Sequence, residues 1–133
     1  MYDQTKDIQV SGFGTVVTGG VGSTIQVGWT EERTGLTFLE VPPGKKLVMT
    51  DFVFIPQTDC TTRHVINLTN SALAGILQLY VNPSFHTDAH FTTGYVLGQD
   101  DHVLAFSDAG SPSGQHVTIY LSGYLVNLHA ARV

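Results

Sequence analysis

The chain is short of charge, of cysteine and of long apolar runs, and each shortage removes a class of protein. Charged residues make up 13% of its 133 residues, about half the share usual in soluble domains. There are three lysines and three arginines, the longest basic run is the pair Lys45-Lys46, and the formal net charge is −5. Binding to a phosphate backbone needs several cations on one face, so nucleic acid is not an expected partner. A single cysteine, Cys60, cannot close a disulfide within the chain, which leaves no signature of a redox compartment. The longest wholly apolar run, residues 72–77, falls far short of the roughly 20 residues of a membrane-spanning helix. The opening "MYDQTKDIQV" lacks the apolar core of a signal peptide. The expectation is a soluble protein of unknown compartment.

The apolar content is an ordinary 42%, so low charge here does not mean disorder. A chain of this length suits one domain, able to bury about two thirds of its unfolded surface without staples. Low charge density also suits a surface partly covered by copies of the same chain.

No segment keeps a 3.6-residue apolar period. Short alternating segments recur instead, at 8–18, 24–29, 36–41, 46–55, 63–69, 76–81, 85–91, 95–97, 102–106 and 116–128, with Gly, Pro, Asn and Asp clusters between them. Ile25, Val27 and Trp29 share one face, and the segments 95–97 and 102–106 read as a hairpin closed by "GQDD" (98–101). The prediction is an all-β, antiparallel β-sandwich of jelly-roll type with eight or nine strands. Residues 1–7 read as a polar arm and 8–133 as a single sandwich domain.

Two segments, 46–55 and 116–128, are apolar on both faces. In a two-layer sandwich one face of each sheet meets water, so an apolar outer face predicts a cover, most simply another subunit. In 46–55 the alternation sets Leu47, Met49, Asp51, Val53 and Ile55 on one side, with Arg63 as a partner for the Asp51 carboxylate.

Three sets of side chains could carry chemistry. In "PSFHTDAHFTTG" (83–94), His86, Asp88 and His90 stand at alternate positions, on one face of an extended strand. Two imidazoles and a carboxylate can bind a transition metal with sites left open. Yet positions i and i+4 of a strand lie about 13 Å apart, so chelation needs a bulge or turn, and the competing reading is a polar strand face or axis lining. A His-x-His pair, as cupins use, is absent. The second set is His116, Tyr120, Tyr124 and, from elsewhere, Trp29: rings beside hydroxyls suit a glycan, and tyrosines equally suit a subunit interface. The third is Cys60 with His64, which nothing in the sequence fixes into a nucleophile–base pair.

The segment "GFGTVVTGG" (12–20) resembles the "GxGTVVTG" hairpin in the β-barrel domain of translational GTPases. In that family these residues are structural, and here they read as glycines where chains cross closely. "VPPGKKLVMTDF" (41–52) with "SGYLV" (122–126) looks like a pattern in small bacterial and phage-encoded β-sandwich proteins. That resemblance implies a sandwich and no activity. The expected function is accordingly a non-enzymatic homo-oligomer, a trimer by preference, in a structural or surface-binding role. The alternatives are a carbohydrate-binding module and a metal-dependent enzyme built on His86, Asp88 and His90; no other cofactor is implied.

Overall fold

A computed structural model describes residues 8–19, 24–108 and 112–128; the expected arm, 1–7, lies outside them. Among the described residues there are ten strands and no helix: β1 (Ile8–Val17), β2 (Ile25–Gln26), β3 (Gly28–Glu31), β4 (Thr37–Phe38), β5 (Lys45–Pro56), β6 (His64–Thr69), β7 (Gly75–Val81), β8 (Thr87–Leu97), β9 (Leu104–Ser107) and β10 (His116–Asn127). Consequently no helix among the described residues is long and apolar enough to cross a membrane.

The strands form a six-stranded sheet, β4-β3-β1-β10-β5-β8, and a four-stranded sheet, β2-β9-β6-β7, with every pairing antiparallel. With the short β3–β4 hairpin set aside as an addition to the edge of β1, eight strands remain. Numbered in chain order, they lie 1-8-3-6 in one sheet and 2-7-4-5 in the other, which is the jelly-roll order. The fold class read from periodicity is therefore the fold observed, with the β3–β4 hairpin as the surplus.

Between the sheets lies one core, in which Trp29, Phe54, Leu47, Met49, Ile66, Leu68, Ile119 and Leu121 are fully buried. Each such side chain stabilises the fold by roughly 1.5–3 kcal/mol relative to exposure. Strand β1 presents Val10, Gly12, Gly14 and Val16 to this core. A Cβ at Gly12 would stand 3.0 Å from the Trp29 ring, and one at Gly14 would stand 2.5 Å from Ile25 Cδ1. Gly14 thus sits where Ile25 of the facing sheet comes close to β1, and at Gly12 the absent side chain is the space filled by the indole of the neighbouring strand β3.

Several strand readings change. Residues 24–29 are not one strand but are divided between β2 in the smaller sheet and β3 in the larger, and of 36–41 only Thr37–Phe38 is strand. Residues 95–97 and 102–106 do not pair as a hairpin: β8 belongs to the larger sheet and β9 to the smaller, so the "GQDD" turn carries the chain from one layer to the other. Leu97 already has Leu47 beside it and Ala105 has Ile25 and Leu68, so each strand is satisfied within its own sheet. Residues 87–97 form one strand rather than two. Finally, β5 carries a bulge at Thr50, because Ser122 pairs with Asp51 but Gly123 pairs with Met49. The extra residue reverses the alternation. Leu47, Met49, Phe52 and Phe54 all point into the core, and Asp51, Val53 and Ile55 point outward.

Candidate functional site

The antiparallel registers of the six-stranded sheet align its outward side chains into rows that cross the strands. Asp88, Val53, Tyr120, Phe13 and Gly28 stand side by side on β8, β5, β10, β1 and β3. Phe13 and Tyr120 are in ring contact, with centroids 5.2 Å apart and planes at 57°, a tilted arrangement that aromatic quadrupoles favour. Both remain half open to solvent, Phe13 at 52% and Tyr120 at 45%. A flanking row holds Ile55, Thr118 and Thr15, and Val17 lies beyond it beside His116.

On the other side of the aromatic row runs a polar one: His90, Asp51, Ser122, Ser11, Thr30 and Thr37, crossing all six strands in register. Past it come Val96, Val48, Tyr124 and Gln9. The outer face is thus two apolar bands divided by one line of hydroxyls that ends in the Asp51 and His90 pair. Among the described residues of the strands themselves, charge on this face is limited to Asp51, Asp88 and His90 on the β5–β8 side, His116 at one end and Lys46 at the other, with Glu40 and Asp100 near the β3–β4 edge. A face depleted of charge with aromatic rings at its centre has the composition of an interface core.

Asp51 is exposed, accepts a 2.8 Å hydrogen bond from Thr50 Oγ1, and lies opposite His90. The expected partner is elsewhere: Arg63 lies 4.5 Å from the centre of the Tyr80 ring. The bulge at Thr50 brings Asp51 to the wet side, so the carboxylate needs no buried cation.

The expected glycan set is divided between two faces. Tyr120 and Tyr124 are on the outer face, but Trp29 is 1% exposed and stacks on Phe38 inside, with centroids 6.5 Å apart and planes at 12°. Trp29 therefore offers no platform beside the tyrosines. His116 anchors a loop instead: its Nδ1 donates to Asp59 Oδ2, and its backbone N–H donates to Asp59 Oδ1 at 3.1 Å. The hydrogen bond from the imidazole holds the Asp59 carboxyl below its ordinary range.

Of the expected metal set, Asp88 and His90 lie on β8 and His86 precedes it, all three exposed. Among the described residues no three His, Cys, Asp or Glu side chains converge as a metal site would need. The extended backbone holds alternate side chains apart, as the strand rise dictates.

The Cys60 and His64 reading also separates. Burial pushes the Cys60 thiol up, and its Sγ lies 3.5 Å from the Thr62 carbonyl. His64 Nε2 donates to Gln115 Oε1 at 2.7 Å, and the same oxygen accepts the Thr61 N–H at 2.9 Å. These bonds tie the 57–62 loop to the start of β10 and close that end of the sandwich.

Two features went unread in the sequence. One is Phe13, whose outward place between inward Gly12 and Gly14 was visible in the alternation of "GFGTVV". The other is an open cleft of about 680 Å³ on the same outer face, where the 39–43 segment passes over β3 and β4; its lining includes Phe13, Gly28, Thr30, Leu39, Glu40 and Asp100. No local signal marks it, because its lining is brought together from four separate stretches of chain.

No family model and no curated protein matches the chain. Among solved structures, Eiger TNF from S. frugiperda is similar over 89% of this chain and 92% of its own, at 13% identity and a TM-score of 0.44. The fold assignment rests on the strand order, which stands without that likeness.

Proposed function

We propose that the chain is a non-enzymatic β-sandwich that works as a homo-oligomer, a trimer, assembled through the outer face of the six-stranded sheet, in a structural or surface-binding role. The observation that supports this reading is the Phe13–Tyr120 pair, half exposed at the centre of a face almost free of charge. Its four long strands of ten to twelve residues, at 3.3 Å per residue and 4.8 Å per strand, present about 700 Å², close to the roughly 800 Å² that one partner contributes to a standard stable interface.

The two sides of the face differ. Phe13 and Val17 lie on the β1 side, while Val96 lies on the β8 side with Asp88 and His90. Unlike halves favour a head-to-tail contact, which closes into a ring, and a trimer is the smallest ring with a unique contact at each subunit. The polar row would set the register of that contact, since a hydroxyl line misaligned against an apolar band loses its hydrogen bonds.

Light scattering coupled to gel filtration tests the reading with the natural chain and a Phe13→Lys/Tyr120→Lys double variant. The expected result is a trimer for the natural chain and a monomer with unchanged far-ultraviolet circular dichroism for the variant. A natural chain that runs as a monomer overturns the proposal, and so does a variant that stays trimeric.

A further inference from the structure

The cleft beside the assembly face has chemistry of its own. Its floor is opened by Gly28, which stands next to Phe13 across β1 and β3. A Cβ at 28 would meet only Leu39 Cδ2, at 3.9 Å. The absence of a side chain there leaves a trough between the Phe13 ring and Leu39, which is 52% exposed. Pro42 and Pro43 continue the apolar wall, and Thr30 contributes a hydroxyl from the polar row.

The walls are pinned. The Val41 N–H donates to the Asp101 carbonyl at 2.8 Å, and the Asp100 N–H donates to the Val41 carbonyl at 2.9 Å. Gly44 N–H donates to Gln99 Oε1 at 2.8 Å, and the two prolines fix their own φ. A site already held in shape loses little order when it is filled. The size falls within the range of small-ligand sites.

The charge around the cleft has one sign. Glu40 and Asp100 line it, and among the described residues no lysine, arginine or histidine does. An apolar trough with two carboxylates repels anions and fits a cation with an apolar body. The Phe13 ring adds apolar area for the body of the same ligand. We infer that the cleft binds a small organic cation, an ammonium group carried on an aromatic or branched apolar body. The apolar part would lie over Gly28 between Phe13 and Leu39, with the ammonium between Glu40 and Asp100. The cleft shares Phe13 and Gly28 with the proposed assembly face, so this reading requires that the β3 edge of that face stay uncovered in the trimer.

The probe is benzyltrimethylammonium, whose charge does not change with pH, and the neutral comparison is 2-phenylethanol. Binding is followed by amide shifts of the nitrogen-15-labelled protein in its native assembly. Saturable shifts are expected at Thr30, Leu39, Val41 and Asp100, with 2-phenylethanol binding roughly three- to fivefold more weakly. Glu40→Gln with Asp100→Asn should weaken the cation to the level of the alcohol. Asparagine suits position 100, where φ is +68°. Gly28→Val, a substitution that suits a strand, fills the trough and should abolish the shifts. Shifts absent from the cleft, equal affinity for the alcohol, or a folded Gly28→Val that binds as before would each overturn the inference. If Gly28→Val does not fold, the comparison of cation and alcohol on the natural chain decides.

Discussion

Alanine at position 12 should destabilise the fold more than alanine at position 14, although the new methyl group meets its nearest neighbour at a longer distance. At Gly14 the closest atom is Ile25 Cδ1, 2.5 Å away, and the next is Ile25 Cγ1 at 3.9 Å. Only the rotatable tip of a half-buried isoleucine has to move. A changed rotamer costs about 0.5–1.5 kcal/mol, and the loss of glycine's freedom in the unfolded chain returns about 0.4–1 kcal/mol. The net change should stay below about 1 kcal/mol. At Gly12 the methyl group would touch Trp29 Cε3, Trp29 Cζ3 and Val27 Cγ1, each at 3.0 Å. The indole is flat, fully buried and stacked on Phe38, so it has no direction in which to yield. Overpacking of that kind costs about 1–3 kcal/mol. Urea unfolding of both variants at one protein concentration measures the difference, the fixed concentration removing any contribution from assembly. A Gly14→Ala cost equal to or above that of Gly12→Ala would refute the reasoning, because rigidity of the neighbour would then not be what decides.

Other outcomes follow from the same structure. Gly123→Ala should leave no cooperatively folded protein, since its Cβ would stand 2.3 Å from the Val48 carbonyl oxygen at the β5 bulge, and backbone cannot rotate away; a sharp thermal transition by circular dichroism would contradict this. Burial works against ionisation of Asp101, but hydrogen bonds from the Ser71 hydroxyl and N–H and the His102 N–H outweigh it and leave the carboxyl below its ordinary 3.8. A depressed folded value contributes stability above pH 3.8 and loses it as pH falls through the folded value. The advantage of the natural chain over Asp101→Asn should therefore be flat at neutral pH and vanish in acid below the ordinary carboxylate range; an advantage that grows on acidification would reverse the sign. Cys60 is buried with its thiol pushed up, so a disulfide reagent at pH 8 should label it only as fast as the protein opens. Labelling as fast as a free thiol would place the sulfur at the surface.

Much of the fold was legible because a strand writes its environment in alternate letters. In 116–128 the alternation placed His116, Tyr120 and Tyr124 on one face, and Ile25, Val27 and Trp29 do all turn to the core, although Ile25 does so from the smaller sheet and Trp29 from the larger. What it could not give was the phase of one strand against another. Trp29 was grouped with Tyr120 and Tyr124 on ring chemistry alone, and the step that separates them is the pairing of Trp29 with Gly12, a contact between distant residues. The bulge at Thr50 was equally silent, since threonine is at home in any strand and a segment apolar on both faces shows no break when its phase shifts. One extra residue moved Asp51 away from Leu47 and Met49. The hairpin expected across 98–101 failed for a related reason: local sequence specifies a turn, but not which layer receives the next strand. The candidate face was half legible. Its apolar character showed in 46–55 and 116–128, while the row that joins Phe13, Tyr120 and Val53 exists only once three strands are in register.

The central claim is an assembled, metal-independent sandwich, and native mass spectrometry of the tag-free chain, purified without chelators, tests it most directly. One subunit is 14.4 kDa, so the prediction is a single species of three subunits with no added metal mass. A monomer at every concentration, or one transition-metal ion per subunit, would contradict it.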